Sequence, residues 1–285
     1  MNNTWTVKSL LEWTAPYFKD LGLDRARFDS EMLLASSLGV DRLWLYTHYD
    51  RPLTGQELDV FRSAVIRRSK REPLQYILGC WGFWSLDFIV LPGVLIPRQE
   101  TEHLVECTLK FAGSADKIFD LCTGSGNIVI SLAKELPSAS FCASDISAQA
   151  VKLAEENAIR HGVQQRISFL CGNLFESAKG QEKNFDLIVC NPPYIPSDQI
   201  KKLQPEIKDF EPRLAVDGGK DGLSFYRRLI PEAAFFLKSS GALIMEIGEN
   251  QAMPVKDIMK DCGYQEIIVF KDYGGMDRVM AGRFP

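Results

Sequence analysis

Asn191-Pro192-Pro193-Tyr194 directly follows the apolar run Phe185-Asp186-Leu187-Ile188-Val189-Cys190. That run reads as a buried strand. The tetrapeptide then lies at a strand's C-terminal end, the edge where open α/β sheets bind ligands. Two consecutive prolines supply no backbone donor and hold φ near about −65°. Pro192 also keeps Asn191 out of the helical region. The carbonyls stay free to accept, and the Asn191 amide is held still. Fixed acceptors beside an aromatic ring suit the gripping of a planar –NH2 group.

A second constellation points to a nucleoside. Asp120-Leu121-Cys122-Thr123-Gly124-Ser125-Gly126 closes a strand and opens a helix, with glycines that let the backbone bend and approach a ligand. Asp145 ends the next strand, where an acidic residue binds ribose hydroxyls in dinucleotide folds. The full G-x-G-x-x-G is missing: Val129 takes the last position, where a pyrophosphate meets a side chain. Asp120 adds negative charge before the loop. These features favour a nucleoside without phosphates over a dinucleotide, and S-adenosylmethionine fits: ribose on Asp145, amino-acid part over the glycine loop. Asn173-Leu174-Phe175 ends the following strand. Asn173 reads either as a partner for an adenine amino group or as a strand-terminating turn.

These residues need a scaffold. Helical spacing of apolar residues appears over 4–20 and 28–38. Thr54-Gly55-Gln56-Glu57 is a capping box for a third helix that Pro73 stops. Residues 1–72 therefore read as a helical bundle. An aromatic stretch broken by Gly79 and Gly82 reads as a β-hairpin linker over 73–96, with Trp81, Phe83 and Trp84 as packing residues. Pro97 is read as opening a helix through Phe111. From Lys117 strands and helices alternate, which implies a doubly wound, mostly parallel α/β sheet over 97–285. The last two strands, 264–271 and 277–282, have no helix between them and should run antiparallel. About thirty residues after the tetrapeptide read as loop.

Composition narrows the function. The 285 residues are 46% hydrophobic and 25% charged, typical of packed domains, with net charge −4. The acidic balance argues against a nucleic-acid partner. Seven scattered cysteines without a C-x-x-C pair read as reduced, semi-buried thiols, and no metal site is expected. Neither a signal peptide nor a membrane span is seen, so a cytoplasmic monomer is expected. Arg62, Arg67, Arg68, Lys70 and Arg71 read as a solvated face at a helix end, with contact to an acidic protein surface or to RNA as the alternative. His48, His103 and His161 read as surface residues, and Glu246 as a strand-end carboxylate that is either solvated or near the site.

Taken in order, these motifs resemble the release factor glutamine methyltransferases, the HemK/PrmC family of class I methyltransferases. The resemblance rests on Phe28-Asp29-Ser30-Glu31-Met32-Leu33-Leu34, Leu95-Ile96-Pro97-Arg98-Gln99-Glu100-Thr101-Glu102, the glycine loop and Asn191-Pro192-Pro193-Tyr194-Ile195. It also rests on Glu211-Pro212-Arg213-Leu214-Ala215-Val216-Asp217-Gly218-Gly219, Asp221-Gly222-Leu223 and Glu246-Ile247-Gly248.

The resemblance implies N5-methylation of the glutamine in the Gly-Gly-Gln motif of class 1 peptide chain release factors. S-adenosylmethionine is the implied donor and S-adenosylhomocysteine the product. It implies a class I methyltransferase sheet behind a helical substrate-recognition domain. It assigns cofactor contacts to Cys122, Thr123, Gly124, Ser125, Gly126, Asp145, Asn173, Leu174 and Asn191, and substrate contacts to Asn191, Pro192, Pro193 and Tyr194. The chain departs from the family at Gln99-Glu100, at Asn173, where an acidic residue is common, and at Leu174, where some relatives carry an aromatic. A neutral amide at 173 accepts an adenine N–H less strongly than a carboxylate does.

With a glutamine amide as substrate, Asn191 Oδ1 and the Pro192 carbonyl each accept one N–H and aim the nitrogen lone pair at the methyl. Tyr194 stacks on the amide plane. Asn191, Pro192 and Tyr194 are the expected catalytic residues, and no separate base is needed. Two other classes compete: a methyltransferase of exocyclic base amines in nucleic acid, which needs the same grip and a flipped base, and a catalytically silent binder of S-adenosylmethionine.

Overall fold

Side-chain caps start three helices of the N-terminal unit, Met1–Gly79, those opened by Thr6, Asp41 and Thr54. The computed structural model describes residues 4–113 and 117–285, so the first three residues of the expected leaderless N-terminus lie outside the described residues. Thr6 and Ser9 form a reciprocal capping box that opens α1 (Val7–Asp20). Then come α2 (Ala26–Leu38) and α3 (Arg42–Thr47). Thr54 and Glu57 form the expected box for α4 (Gly55–Ser69), and Pro73 leads into α5 (Leu74–Leu78). The six-residue α3 and five-residue α5 are too short to show a helical period, which is why the sequence reading lacks them. The basic cluster is not a uniformly solvated face. Arg68 is buried against Asp29 at 2.7 Å. Arg67 pairs with Glu72, and Arg71 donates to the Gly22 carbonyl at 2.8 Å.

The second unit, Cys80–Pro285, opens with a hairpin of β1 (Cys80–Phe83) and β2 (Leu86–Ile89). Arg98 is extended, a 3₁₀ turn covers Gln99–Thr101, and α6 (Glu102–Ala112) follows. The helix read from Pro97 thus begins later, leaving Thr101 at its N-terminal edge. The alternating part is β3 (Lys117–Leu121), α7 (Asn127–Glu135), β4 (Ser140–Asp145), α8 (Ala148–Arg160), β5 (Ile167–Cys171) and β6 (Phe185–Cys190). It continues with α9 (Pro205–Phe210), α10 (Ser224–Phe236), β7 (Leu237–Glu246), α11 (Ala252–Asp261), β8 (Gln265–Lys271) and β9 (Asp277–Arg283). The stretch after the tetrapeptide is therefore a loop interrupted by α9 and short 3₁₀ turns.

Seven strands make one sheet in the order β5-β4-β3-β6-β7-β9-β8. Pairing is parallel from β5 to β7, and β9 runs antiparallel to both its neighbours. This is the class I methyltransferase arrangement that the sequence leads one to expect. Alternating strand residues face opposite layers. Ile118, Leu187 and Ile244 join α6, α7 and α8, while Phe119, Ile188 and Met245 join α10 and α11. Burial on both faces explains the apolar run of β6. The chain moves outward from β3 to β5, then returns to place β6 beside β3. That reversal is the topological switch point, where a crevice opens beyond the carboxyl ends of the strands. No helix among the described residues is long and apolar enough to cross a membrane.

Candidate active site

The turn after β3 is shaped by positive φ angles. Cys122 sits at φ +59°, Gly124 at +56° and Gly126 at +79°. The two glycines serve different ends. Gly124 has open space where a side chain would stand, whereas a Cβ on Gly126 would lie 2.9 Å from Ile130 and 3.0 Å from Ala154 on α8. Gly124 thus opens the cavity floor, and Gly126 lets α8 pack against the loop. Asn157 on α8 locks this arrangement. It donates to the Ser125 carbonyl at 2.9 Å and exchanges two hydrogen bonds with Ile89 of β2.

A cavity of about 300 Å³ opens above the loop, at the lower end of the range for small-molecule sites. Its wall includes Cys122, Thr123, Gly124, Ser125, Asp145, Asn173, Leu174, Asn191 and Pro193. Gly126 and Pro192 are buried and are not among the lining residues. Tyr194 is half-buried and is not among the lining residues; its hydroxyl donates to Glu246 at 3.0 Å.

Asp145 is fixed by its own backbone surroundings. Oδ2 accepts from Gly124 N and Oδ1 from Ser147 N, each at 2.9 Å. Each oxygen keeps one lone pair, as a ribose diol requires. Burial pushes the Asp145 carboxyl up from its ordinary range, and these backbone donors pull it back. Asp120 is fully buried. Its Oδ2 accepts the Thr123 hydroxyl at 2.6 Å, while Oδ1 has no hydrogen-bond partner among the described residues. Burial pushes its pKa to about 7. A nucleoside with two ribose hydroxyls for Asp145, and an adenine for Leu174 and Ile146 to cover, fits the residues that line this cavity. S-adenosylmethionine has those features. Asn173 is already engaged: Oδ1 accepts from Arg228 at 3.3 Å, and Arg228 also lines the cavity.

The tetrapeptide is buttressed from behind. Gln251 Nε2 donates to the Tyr194 carbonyl at 2.9 Å, and its Oε1 accepts from Gly248 N at 2.9 Å. Ile195 bridges to the 216–218 backbone, donating to Val216 O at 3.0 Å and accepting from Gly218 N at 2.8 Å. The Gly218 Cα packs so closely on Tyr194 that a Cβ would sit 2.7 Å from its backbone. At Gly222, φ is +76° and a Cβ would lie 2.6 Å from Gln251 Nε2. The Asp-Gly-Gly and Asp-Gly-Leu stretches are therefore backing plates for Asn191–Tyr194. Over the cavity, Glu211 pairs with Arg98 and also takes Ile96 N at 3.4 Å. Burial raises the Glu211 carboxyl, and Arg98 opposes that rise. This pair ties the Ile96-Pro97-Arg98 stretch to Pro212, Leu214 and Ala215, all of which line the cavity.

Glu246 is 1% exposed, so its solvated reading is overturned. It accepts the Thr101 hydroxyl at 2.7 Å and the Tyr194 hydroxyl at 3.0 Å. Burial raises its carboxyl, and the two hydroxyls and Arg278 oppose that rise. Burial raises the Tyr194 phenol as well, with the Glu246 charge adding to it. His103 is half-buried against the Tyr273 ring rather than a free surface residue, with ring centroids 4.3 Å apart. Cys171 is exposed, against the expectation of semi-buried thiols. Thr101, Asn157, Glu211 and Gln251 escaped the sequence reading as site residues. Asn157 alone carried a signal, a polar side chain on the apolar stripe of Ala150, Leu153, Ala154 and Ala158.

Comparison with known proteins shows the family. Residues 9–79 match the family model described as PrmC N-terminal domain, and residues 98–207 match the methyltransferase small domain. A release factor glutamine methyltransferase of Geobacter sulfurreducens is 46% identical, with 98% of this chain and 97% of that protein covered. One from Thermodesulfovibrio yellowstonii is 42% identical over 88% and 90%, and one from Koribacter versatilis 39% over 98% and 99%. Among solved structures, a methyltransferase from Pyrococcus furiosus superposes with TM-score 0.53 at 18% identity, over 71% of this chain and 90% of that one. The hMettl16 catalytic domain in complex with MAT2A 3'UTR hairpin 6 gives 0.58 at 14%, over 83% and 85%. These two structures share the fold. By identity across nearly its full length, this chain belongs to the release factor glutamine methyltransferase family.

Proposed function

We propose that this chain methylates the side-chain amide nitrogen of the glutamine in the Gly-Gly-Gln motif of peptide chain release factors. The observation that carries the reading is the sharing of one cavity wall: Asn191 lines the same space as Gly124 and Asp145. A nucleoside held by the glycine loop and Asp145 then meets an amide held by the tetrapeptide. When bound, S-adenosylmethionine supplies an electrophilic methyl on a sulfonium.

The chain's residues do the rest. Asn191 Oδ1 and the Pro192 carbonyl take the two amide N–H groups, which aims the nitrogen lone pair into the cavity and enriches it. The ring of Tyr194 covers the amide plane. The proton leaves after transfer, when the N-methylated amide is acidic, so no buried base is required. Positioning of well-aligned reactants lowers a barrier by at most about 7–11 kcal/mol. Cys122, Thr123, Ser125, Asn173 and Leu174 line the cofactor half, with Gly126 in the glycine loop. Pro193 lines the glutamine half. Residues 1–72 serve as the substrate-recognition domain, 73–96 as the linker and 97–285 as the catalytic domain. The protein acts as a monomer in the cytoplasm, without contacting nucleic acid directly.

The test is methyl transfer to a purified class 1 release factor with isotope-labelled S-adenosylmethionine, followed by peptide mass spectrometry. The added mass is expected on the Gly-Gly-Gln glutamine and is lost when that glutamine is alanine. Label on another residue, or on a nucleic acid instead of the release factor, overturns the reading.

A further inference from the structure

The polarity of the Asn191 amide is decided by its neighbours. An amide presents an oxygen one way and an NH2 the other, and the two ends have nearly the same shape. Here Asn191 Nδ2 lies 3.1 Å from the Thr101 hydroxyl, which itself donates to Glu246 Oε2 at 2.7 Å. A threonine hydroxyl has one proton. With that proton committed to Glu246, the hydroxyl can only accept from Asn191. The nitrogen of Asn191 must then face Thr101, and Oδ1 is left facing the cavity.

Glu246 keeps this direction from reversing. As a carboxylate it accepts and cannot donate. Its other oxygen takes the Tyr194 hydroxyl at 3.0 Å, so both ends of the tetrapeptide answer to the same buried group. Thr101 and Glu246 are 2% and 1% exposed, which keeps competing water from the chain of hydrogen bonds.

We propose that Thr101 and Glu246 are positioning residues that set the Asn191 side chain with its oxygen toward substrate, and that this fixed polarity selects an –NH2 donor at the reacting position. The proposal rests on the Asn191 grip described above. Without the relay the Asn191 amide turns freely. In half of its orientations it offers an NH2 to the substrate's NH2, and the substrate nitrogen is no longer aimed.

The test uses the full chain with a release factor and S-adenosylmethionine. Thr101→Val keeps the shape and removes the hydroxyl, while Thr101→Ser keeps the hydroxyl. Thr101→Val is expected to lower kcat by about 10–100-fold, as loss of alignment does. KM for the release factor and the calorimetric affinity for S-adenosylhomocysteine should stay within about threefold, because alignment is lost and binding is not. Thr101→Ser should restore most of the lost kcat. Wild-type kcat in Thr101→Val, or a Thr101→Ser variant as slow as Thr101→Val, overturns the relay. Asn191→Ala in the same assay separates the two ideas. If it abolishes turnover while Thr101→Val does not, the relay falls and the grip stands. If it too retains turnover, the grip itself is wrong.

Discussion

Asn191→Ala is expected to lower kcat on a release factor by about two to four orders of magnitude, the scale set by removing a preorganised partner of the reacting group. The affinity for S-adenosylhomocysteine should barely move. The backbone contacts that hold Asp145 and Gly124 do not involve Asn191, and the buttress behind it does not depend on its side chain. Single-turnover kinetics together with calorimetry separate these two effects. Near-normal turnover in this variant removes the proposed role of Asn191. Loss of cofactor affinity in step with turnover shows instead that the side chain holds the nucleoside.

The second large effect is on stability. Arg68→Ala should destabilise the N-terminal unit by about 3–5 kcal/mol, because it takes the guanidinium away from a buried carboxylate. The two side chains are 9% and 5% exposed and meet at 2.7 Å, and Arg68 also donates to the Glu72 carbonyl at 3.1 Å. The pair joins α2 to α4 and accounts for an acidic residue on the buried stripe of α2. Asp29→Leu combined with Arg68→Met should recover most of the loss, since an apolar pair of similar volume carries no desolvation cost. Denaturant unfolding of the full chain measures both variants. An Arg68→Ala transition that overlays the wild type shows that the buried pair contributes nothing.

The parts of the molecule legible from sequence are those governed by period and turn chemistry. The strand β6 shows as an apolar run, and β3 to β5 show by their regular alternation with helices. The helices α7 and α8 show as 3.6-residue stripes, and the glycine loop shows by its spacing. Asn191–Tyr194 could be placed at a strand end for the same reason. What stayed hidden depends on contacts between segments distant in sequence. Thr101 and Glu246 are 145 residues apart, and Arg98 and Glu211 are 113 apart. No local pattern links such residues. Glu246 read equally well as solvated, because a carboxylate at a strand end looks the same whether or not a hydroxyl covers it. Arg68 looked like one more cation in a basic run. Only the fold turns it inward, toward an aspartate 39 residues earlier. Gly218 and Gly222 were visible as motif residues, but their reason is the Tyr194 backbone, which no spacing rule brings to them.

A crystal structure of the enzyme with S-adenosylhomocysteine and a glutamine peptide bearing Gly-Gly-Gln puts the chemistry in view most directly. The glutamine nitrogen should sit about 3 Å from both Asn191 Oδ1 and the Pro192 carbonyl oxygen, facing the sulfur. A glutamine amide bound elsewhere, or Asn191 presenting its NH2 group to that nitrogen, contradicts the account.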